Sequence, residues 1–251
     1  MLTAERRRSI LQTLQREGKV LSSELSKVLH VSEDTIRRDL NELAAAGELL
    51  RVHGGALPRS PASASFTERQ QQAPQVKAAI AQAAVSLIRQ DQVIILGGGT
   101  TSLQVAKHLS PDLRGTVITH SPPVALALAE HPTIEVIVIG GKLYKHERVT
   151  VGAATVEAYR DIRADICFLG IGSLHPEVGI STFDLEEAYV KRAMIASSAE
   201  VIAVTSGEKL GTAAPYIVGP LSDLTHLVTE RSVSREVLAP YRAAGITIVQ
   251  A

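Results

Sequence analysis

Short apolar runs alternate with amphipathic stretches from about residue 74 to the end of the chain, and that alternation leaves few folds open. The runs fall at 93–96, 116–119, 134–139, 165–169, 201–204, 226–229 and 246–249. Most are continuously apolar, the pattern of strands covered on both faces. Helical patterns fill the gaps at 75–89, 102–109, 122–130, 153–159, 184–198 and 232–242. Strand then helix, repeated, predicts a mostly parallel sheet with helices on both sides, so residues 74–251 read as one α/β domain.

Residues 1–57 follow another rule: three short helical patterns with close breaks. The first spans 3–16, turns Ile10, Leu11 and Leu14 inward, and stops at Gly18. A second begins after Ser22 or Ser23 and buries Leu25, Val28 and Leu29. The third starts at Ser32, whose hydroxyl suits the free amides of residues 33–35, and closes at Gly47. At about 100° per residue, Ile36, Leu40 and Leu43 share its buried face. Asp34, Thr35, Arg37, Arg38, Asn41 and Glu42 then face outward, while Asp39 turns to the core edge as a partner for a nearby Arg.

A helix of this build fits the major groove of DNA, where Arg and Asn pair with guanine and adenine edges. Residues 48–57 read as a two-stranded wing broken at Gly54-Gly55, with Arg51 and His53 placed for phosphate or minor groove. Periodicity alone fits equally well a helical hairpin whose arginines merely solvate a surface. Residues 58–73 open with a Pro/Ser-rich stretch of no periodicity and read as a linker.

Charge adds an exclusion. With Lys+Arg 26 against Asp+Glu 26, the chain is not coated in positive charge; residues 1–60 carry +2 and the remainder −2. The single cysteine, Cys167, excludes an intrachain disulfide and a Cys-rich zinc site and reads as a small core side chain. His108, His131, His146 and His175 show no ligand spacing and read as surface residues; no metal or cofactor is expected. No apolar run approaches the roughly 18 residues of a membrane span, and a soluble, cytoplasmic protein is expected.

The stretch from Val31 through Ser32, Arg37, Arg38, Asp39 and Leu43, followed by Arg51-Val52-His53-Gly54-Gly55-Ala56, resembles the winged helix-turn-helix of the DeoR family of bacterial transcriptional regulators. The resemblance implies a recognition helix starting at Ser32. It also implies a regulator, usually a repressor, whose second domain senses a phosphorylated sugar or related metabolite. It continues through Gly99-Thr100-Thr101, Thr119-His120-Ser121, Gly140-Gly141, the 168–172 run, Ala188 to Arg192, and Lys209-Leu210-Gly211. That second domain is similar to the ribose-5-phosphate isomerase and coenzyme A transferase class of folds.

Several strand ends run into glycines and hydroxyls that suit an anion: Gly97, Gly98, Gly99, Thr100 and Thr101; His120 and Ser121; Gly140 and Gly141; Gly170 and Gly172; and the loop holding Lys209. Helical spacing puts Lys191 and Arg192 on a solvated face; the family position moves Lys191 toward the pocket. Asp184, Glu186 and Glu187 read as acids favouring a helix start. Three departures stand out. The family usually has Asp where Gly97 or Gly98 stands, Asn for His120, and Asp for Ser206. Losing the carboxylates is expected to open space beside Gly97 and Gly98. It also favours an anionic sugar derivative bearing a carboxylate or sulfonate besides or instead of a phosphate. A sugar-phosphate isomerase or hydrolase with an accessory helical domain is the alternative. Because one recognition helix reads few base pairs, operator DNA calls for a homodimer or larger assembly held through the α/β domain.

Overall fold

The computed structural model describes residues 2–251. The N-terminal unit runs α1 (Thr3–Glu17), β1 (Val20–Leu21), α2 (Ser22–Leu29), α3 (Glu33–Ala45), β2 (Leu49–Val52) and β3 (Gly55–Pro58). Gly18 stops α1 in the left-handed region at φ 71°, and Ser32 caps α3 by accepting the Thr35 amide. Strands β2 and β3 form the wing, and β1 pairs with β3 beneath it. Ile10, Leu14, Leu25, Ile36, Leu40, Leu43 and Leu49 make the core of this unit. Val28, expected inward, is exposed, because α2 lasts only two turns and turns that side to water.

Residues 58–73 carry more structure than a linker. They hold a short 3-10 turn (Pro61–Ser63) and helix α4 (Phe66–Gln71), started by a Ser65/Glu68 capping box. Phe66 and Arg69 are buried, and the segment lies on the α/β unit: Ser60 Oγ donates to the Gly172 carbonyl and Ala213 N to the Pro58 carbonyl.

The α/β unit then runs α5 (Pro74–Val85), β4 (Gln92–Leu96), α6 (Thr100–Lys107), β5 (Gly115–Thr119), α7 (Pro122–Leu128), β6 (Ile134–Val138), β7 (Lys142–Tyr144), β8 (Val149–Val151) and α8 (Ala153–Arg160). After these come β9 (Ala164–Gly170), β10 (Ser173–His175), β11 (Gly179–Thr182), α9 (Leu185–Ala196), β12 (Ser198–Val204), β13 (Tyr216–Gly219), β14 (His226–Thr229), α10 (Arg235–Ala243) and β15 (Thr247–Gln250). All seven expected strands pair in parallel in one sheet, ordered β15-β14-β12-β9-β4-β5-β6. Successive strand residues feed opposite faces. Ile95, Cys167, Leu169 and Ala203 join Tyr159, Val190 and Leu238 on one side, whereas Ile94, Leu96, Phe168 and Val204 join Ile80, Val105 and Val124 on the other.

One topological fact positions the site. From β4 the chain moves outward through β5 to β6, then returns to place β9 on the other flank of β4. Strand order therefore reverses between β4 and β9, where open α/β sheets form a crevice beyond the strand ends.

Candidate functional site

Helix α3 presents one polar face to water. Asp34, Arg37, Arg38, Asn41 and Glu42 are exposed and Ile36, Leu40 and Leu43 buried, as its periodicity predicts. Arg37 lies 3.4 Å from Glu33 and 3.3 Å from Asp34 along its own helix, an exposed pairing worth a few tenths of a kcal/mol, about 0.3–0.5. Arg38 and Asn41 have no side-chain hydrogen bond among the described residues. Thr35 is half-buried and shares a 2.9 Å hydrogen bond with the capping Ser32.

Asp39 anchors the helix from behind. It accepts from Arg6 Nε at 2.5 Å and Arg7 Nε at 3.0 Å, and Arg7 continues to Glu42. Burial works to raise the Asp39 carboxyl, but the two guanidinium hydrogen bonds outweigh it and hold the group below its ordinary range. In the wing, Arg51 is half-buried and donates to the Gly55 carbonyl at 2.8 Å, so it braces the turn. His53 and Gly54 are exposed at the tip, Gly54 with φ 74°.

The second site lies in the crevice between β4 and β9. Its lining brings together Gly98, Gly99, Thr100, Thr101, Gly170, Gly172, Lys191 and Lys209 from the expected set. Helix α6 starts here from Gly99, so its free amides and positive end face the cleft. Gly170 is required by close approach: a Cβ there would lie 2.3 Å from the Gly98 carbonyl oxygen. Sequence reasoning missed Ala62, Arg69, Glu147, Thr182, Phe183, Glu187 and Val204, which with Ile171 complete the wall.

Charges in the cleft are unequally satisfied. Lys191 Nζ lies 3.0 Å from Glu187 Oε1, and Glu187 also accepts from Thr182. Lys191, Thr182 and nearby His120 outweigh burial and keep the Glu187 carboxyl lowered, so it stays charged. Glu187 therefore joins a buried ion pair, unlike the helix-start role read for it; Asp184 takes that role, capping α9 at the Glu187 amide. Arg69 pairs with Glu147. Lys209 is 5% exposed, and its ammonium has no hydrogen bond or carboxylate partner among the described residues. Burial, reinforced by Arg69 and Lys77 and only partly offset by Glu208 and Glu147, lowers it to about 8.

Other expected residues sit elsewhere. Gly97 lies behind the cleft, packed on Met194 and Phe168. His120 is fully buried with Nδ1 2.9 Å from the Tyr159 hydroxyl, and burial pushes it down to about 4, so it stays neutral in the core. Ser121 is buried beside it with no partner for its hydroxyl. Gly140 and Gly141 follow the edge strand β6 and pack on Thr155, too far along the sheet to join the lining. His175, read as a surface residue, is buried: Nε2 lies 3.3 Å from the Gly18 carbonyl, and Nδ1 accepts from the Glu177 amide. The expected space at Gly97 and Gly98 is absent as well. A Cβ on Gly98 would lie 2.2 Å from Val149 Cγ1, and one on Gly97 3.0 Å from Met194 Cε; apolar side chains fill the volume a carboxylate would need.

A winged helix-turn-helix joined to a parallel α/β unit of this topology is the build of a DNA-binding regulator of transcription. Residues 6–61 match the DeoR-like helix-turn-helix domain and residues 72–231 the DeoR C terminal sensor domain, and the chain belongs to the DeoR family. It is similar to the HTH-type transcriptional regulator GolR of Listeria innocua, 30% identical over 99% of this chain and 98% of that protein. The HTH-type transcriptional repressor GlcR of Bacillus subtilis is 33% identical over 92% and 90%. The glycerol-3-phosphate regulon repressor of Escherichia coli is 31% identical over 92% of each. Among solved structures, a probable sor operon regulator from Shigella flexneri matches with a TM-score of 0.48 at 12% identity, covering 67% of this chain and 89% of that one. The relatives are regulators, and this chain is a regulator, not an enzyme. No group of three His, Cys, Asp or Glu suited to a metal occurs among the described residues, and no described helix is long and apolar enough to cross a membrane.

Proposed function

We propose that the chain is a repressor working on operator DNA in the cytoplasm, and that a phosphorylated or otherwise anionic sugar-derived molecule bound in the β4–β9 cleft controls its hold on that DNA. The observation that carries this reading is Lys209: a nearly buried lysine whose ammonium makes no hydrogen bond or ion pair among the described residues, Glu208 and Glu147 acting on it only from a distance, beside the free amides of α6. An unpaired buried charge is costly, and a bound anion is the natural remedy. Glu147 and Glu187 stand in the wall as well, each held by a cation of the cleft, Arg69 and Lys191. The relative named for a glycerol-3-phosphate regulon is consistent with such a ligand.

Thermal denaturation of the full chain against sugar phosphates, sugar acids and neutral sugars tests this reading. At least one anionic compound raises the melting temperature by several degrees, about 3 kcal/mol of linkage at a hundredfold excess over Kd, while its neutral parent does not. Equal shifts from neutral sugars would contradict it.

On the DNA side, Arg38 and Asn41 are free to reach base edges, and Arg37 exchanges weak intrahelical partners for DNA. His53 and Gly54 meet the backbone at the wing tip. Changing Arg37 or Arg38 to Ala weakens binding to a site selected from random DNA by about 1–3 kcal/mol with the melting temperature unchanged. Unaltered affinity in both variants would remove α3 as the reading helix. The protein acts as a homodimer or larger assembly on repeated half-sites, and a monomer by light scattering, with and without DNA, would exclude this.

A further inference from the structure

The cleft is narrow, with about 20 Å³ of free space, and a carboxylate of its own lines it. Arg69 Nη2 meets Glu147 Oε2 at the wall, with side chains 8% and 13% exposed. Arg69 comes from α4, in the segment that joins the wing to the α/β unit, and Glu147 from the β7–β8 turn. Lys191 is already matched by Glu187, whereas Lys209 is unmatched. Arg69, Lys77 and Lys209 against Glu147 and Glu208 therefore leave one positive charge in excess at this end of the cleft.

Resting on the reading of the cleft as an anion site, we propose that Arg69 is a ligand-contacting residue and that Glu147 occupies the place of the ligand's anion until the ligand displaces it. Arg69 is built for such an exchange. Its Nε is tied to the Ala64 carbonyl at 2.9 Å, which fixes the guanidinium, while Nη2 meets Glu147 and the residue lines the cleft. A planar guanidinium fork takes a phosphate as readily as a carboxylate. The incoming anion also pairs directly with Lys209, which Glu147 reaches only from a distance.

The exchange has a mechanical consequence. The turn that carries Glu147 grips α4: the Phe66 amide donates to the His146 carbonyl at 3.1 Å, and Arg148 donates to Thr67 Oγ1 at 2.8 Å. The Arg148 guanidinium also lies 4.9 Å from the Phe66 ring centre. Releasing Glu147 from Arg69 removes the sheltered ion pair in this grip. The loosened segment runs back through Ser60 to Pro58, the last residue of wing strand β3. Occupancy of the cleft is thereby felt at the wing.

Calorimetric titration of the full chain with inorganic phosphate, in wild type and Glu147→Gln, tests the proposal alongside hydrogen exchange over residues 60–72. Glu147→Gln removes the internal competitor and binds phosphate about tenfold tighter, as expected if the open pocket is about one tenth populated in wild type. Exchange over 60–72 rises in wild type when phosphate is added and is already raised in unliganded Glu147→Gln. Equal phosphate affinity in the two proteins, or exchange unaffected by phosphate and by the substitution, overturns the proposal while leaving the anion site intact. Phosphate binding by neither protein overturns the anion site and this proposal with it.

Discussion

Asp39→Ala lowers the stability of the winged unit by about 3 kcal/mol, the cost of removing one partner from a buried ion cluster. Asp39 is 2% exposed and holds Arg6 and Arg7 of α1 against α3, so alanine leaves Arg6, itself 9% exposed, without its counter-charge. The same substitution frees the recognition helix from α1, and DNA affinity falls although Asp39 points away from the outward face. Stepwise unfolding followed by hydrogen exchange separates the two units: protection drops in residues 3–57 and persists in the sheet. The pH dependence carries a definite sign. A carboxyl whose folded-state value is lowered contributes stability that is present above its ordinary value and is lost as pH falls through the lowered one. Wild type therefore loosens in the winged unit on acidification, and Asp39→Asn does not show that step. Equal stability of Asp39→Ala and wild type would mean that the arginines are held by solvent alone.

Lys209→Ala abolishes the thermal response to anionic ligands and leaves the unliganded chain at least as stable as wild type. Burial lowers Lys209 to about 8, so the unfolded chain retains that proton more strongly than the folded one. Stability of the unliganded protein accordingly rises as pH climbs from about 8 toward the ordinary lysine value, and alanine removes this slope. Ligand affinity moves the other way. An anion needs the ammonium, so its binding weakens by up to about tenfold per pH unit above pH 8, one proton being linked to one ligand. A ligand whose affinity is flat from pH 7 to 9, or that still stabilises Lys209→Ala, binds through other groups.

The fold was legible because its signals are local. Seven apolar runs with helical patterns between them define a doubly covered parallel sheet, and each run became a strand of it. The outward face of α3 and the inward turn of Asp39 follow from one periodicity. The cleft was only half legible. Glycine and hydroxyl loops announced the floor, but which loops converge depends on strand order, and that is nonlocal. Loops after β4, β9 and β12 flank the reversal and meet; the loop after β5 abuts Gly98 but turns His120 into the core against Tyr159, and the loop after the edge strand β6 lies farther along the sheet, which is why His120, Gly140 and Gly141 do not line it. Arg69 was hidden by the Pro/Ser-rich opening of residues 58–73, although Ser65 followed by Glu68 is a helix-start signature. Gly97 and Gly98 misled for another reason. Their bare backbone suggests room, whereas Val149 and Met194, remote in sequence, fill it.

The most direct test couples the two halves of the protein in one titration. The affinity of the full chain for a DNA site selected from random sequence is measured by fluorescence anisotropy across sugar phosphates and sugar acids, for wild type and Lys209→Ala. At least one anionic compound changes wild-type affinity by about tenfold, roughly 1.4 kcal/mol of coupling, and leaves Lys209→Ala unchanged, with both proteins binding DNA equally in its absence. A compound that binds the cleft without altering DNA affinity, or that acts equally on Lys209→Ala, would contradict control of DNA binding through this site.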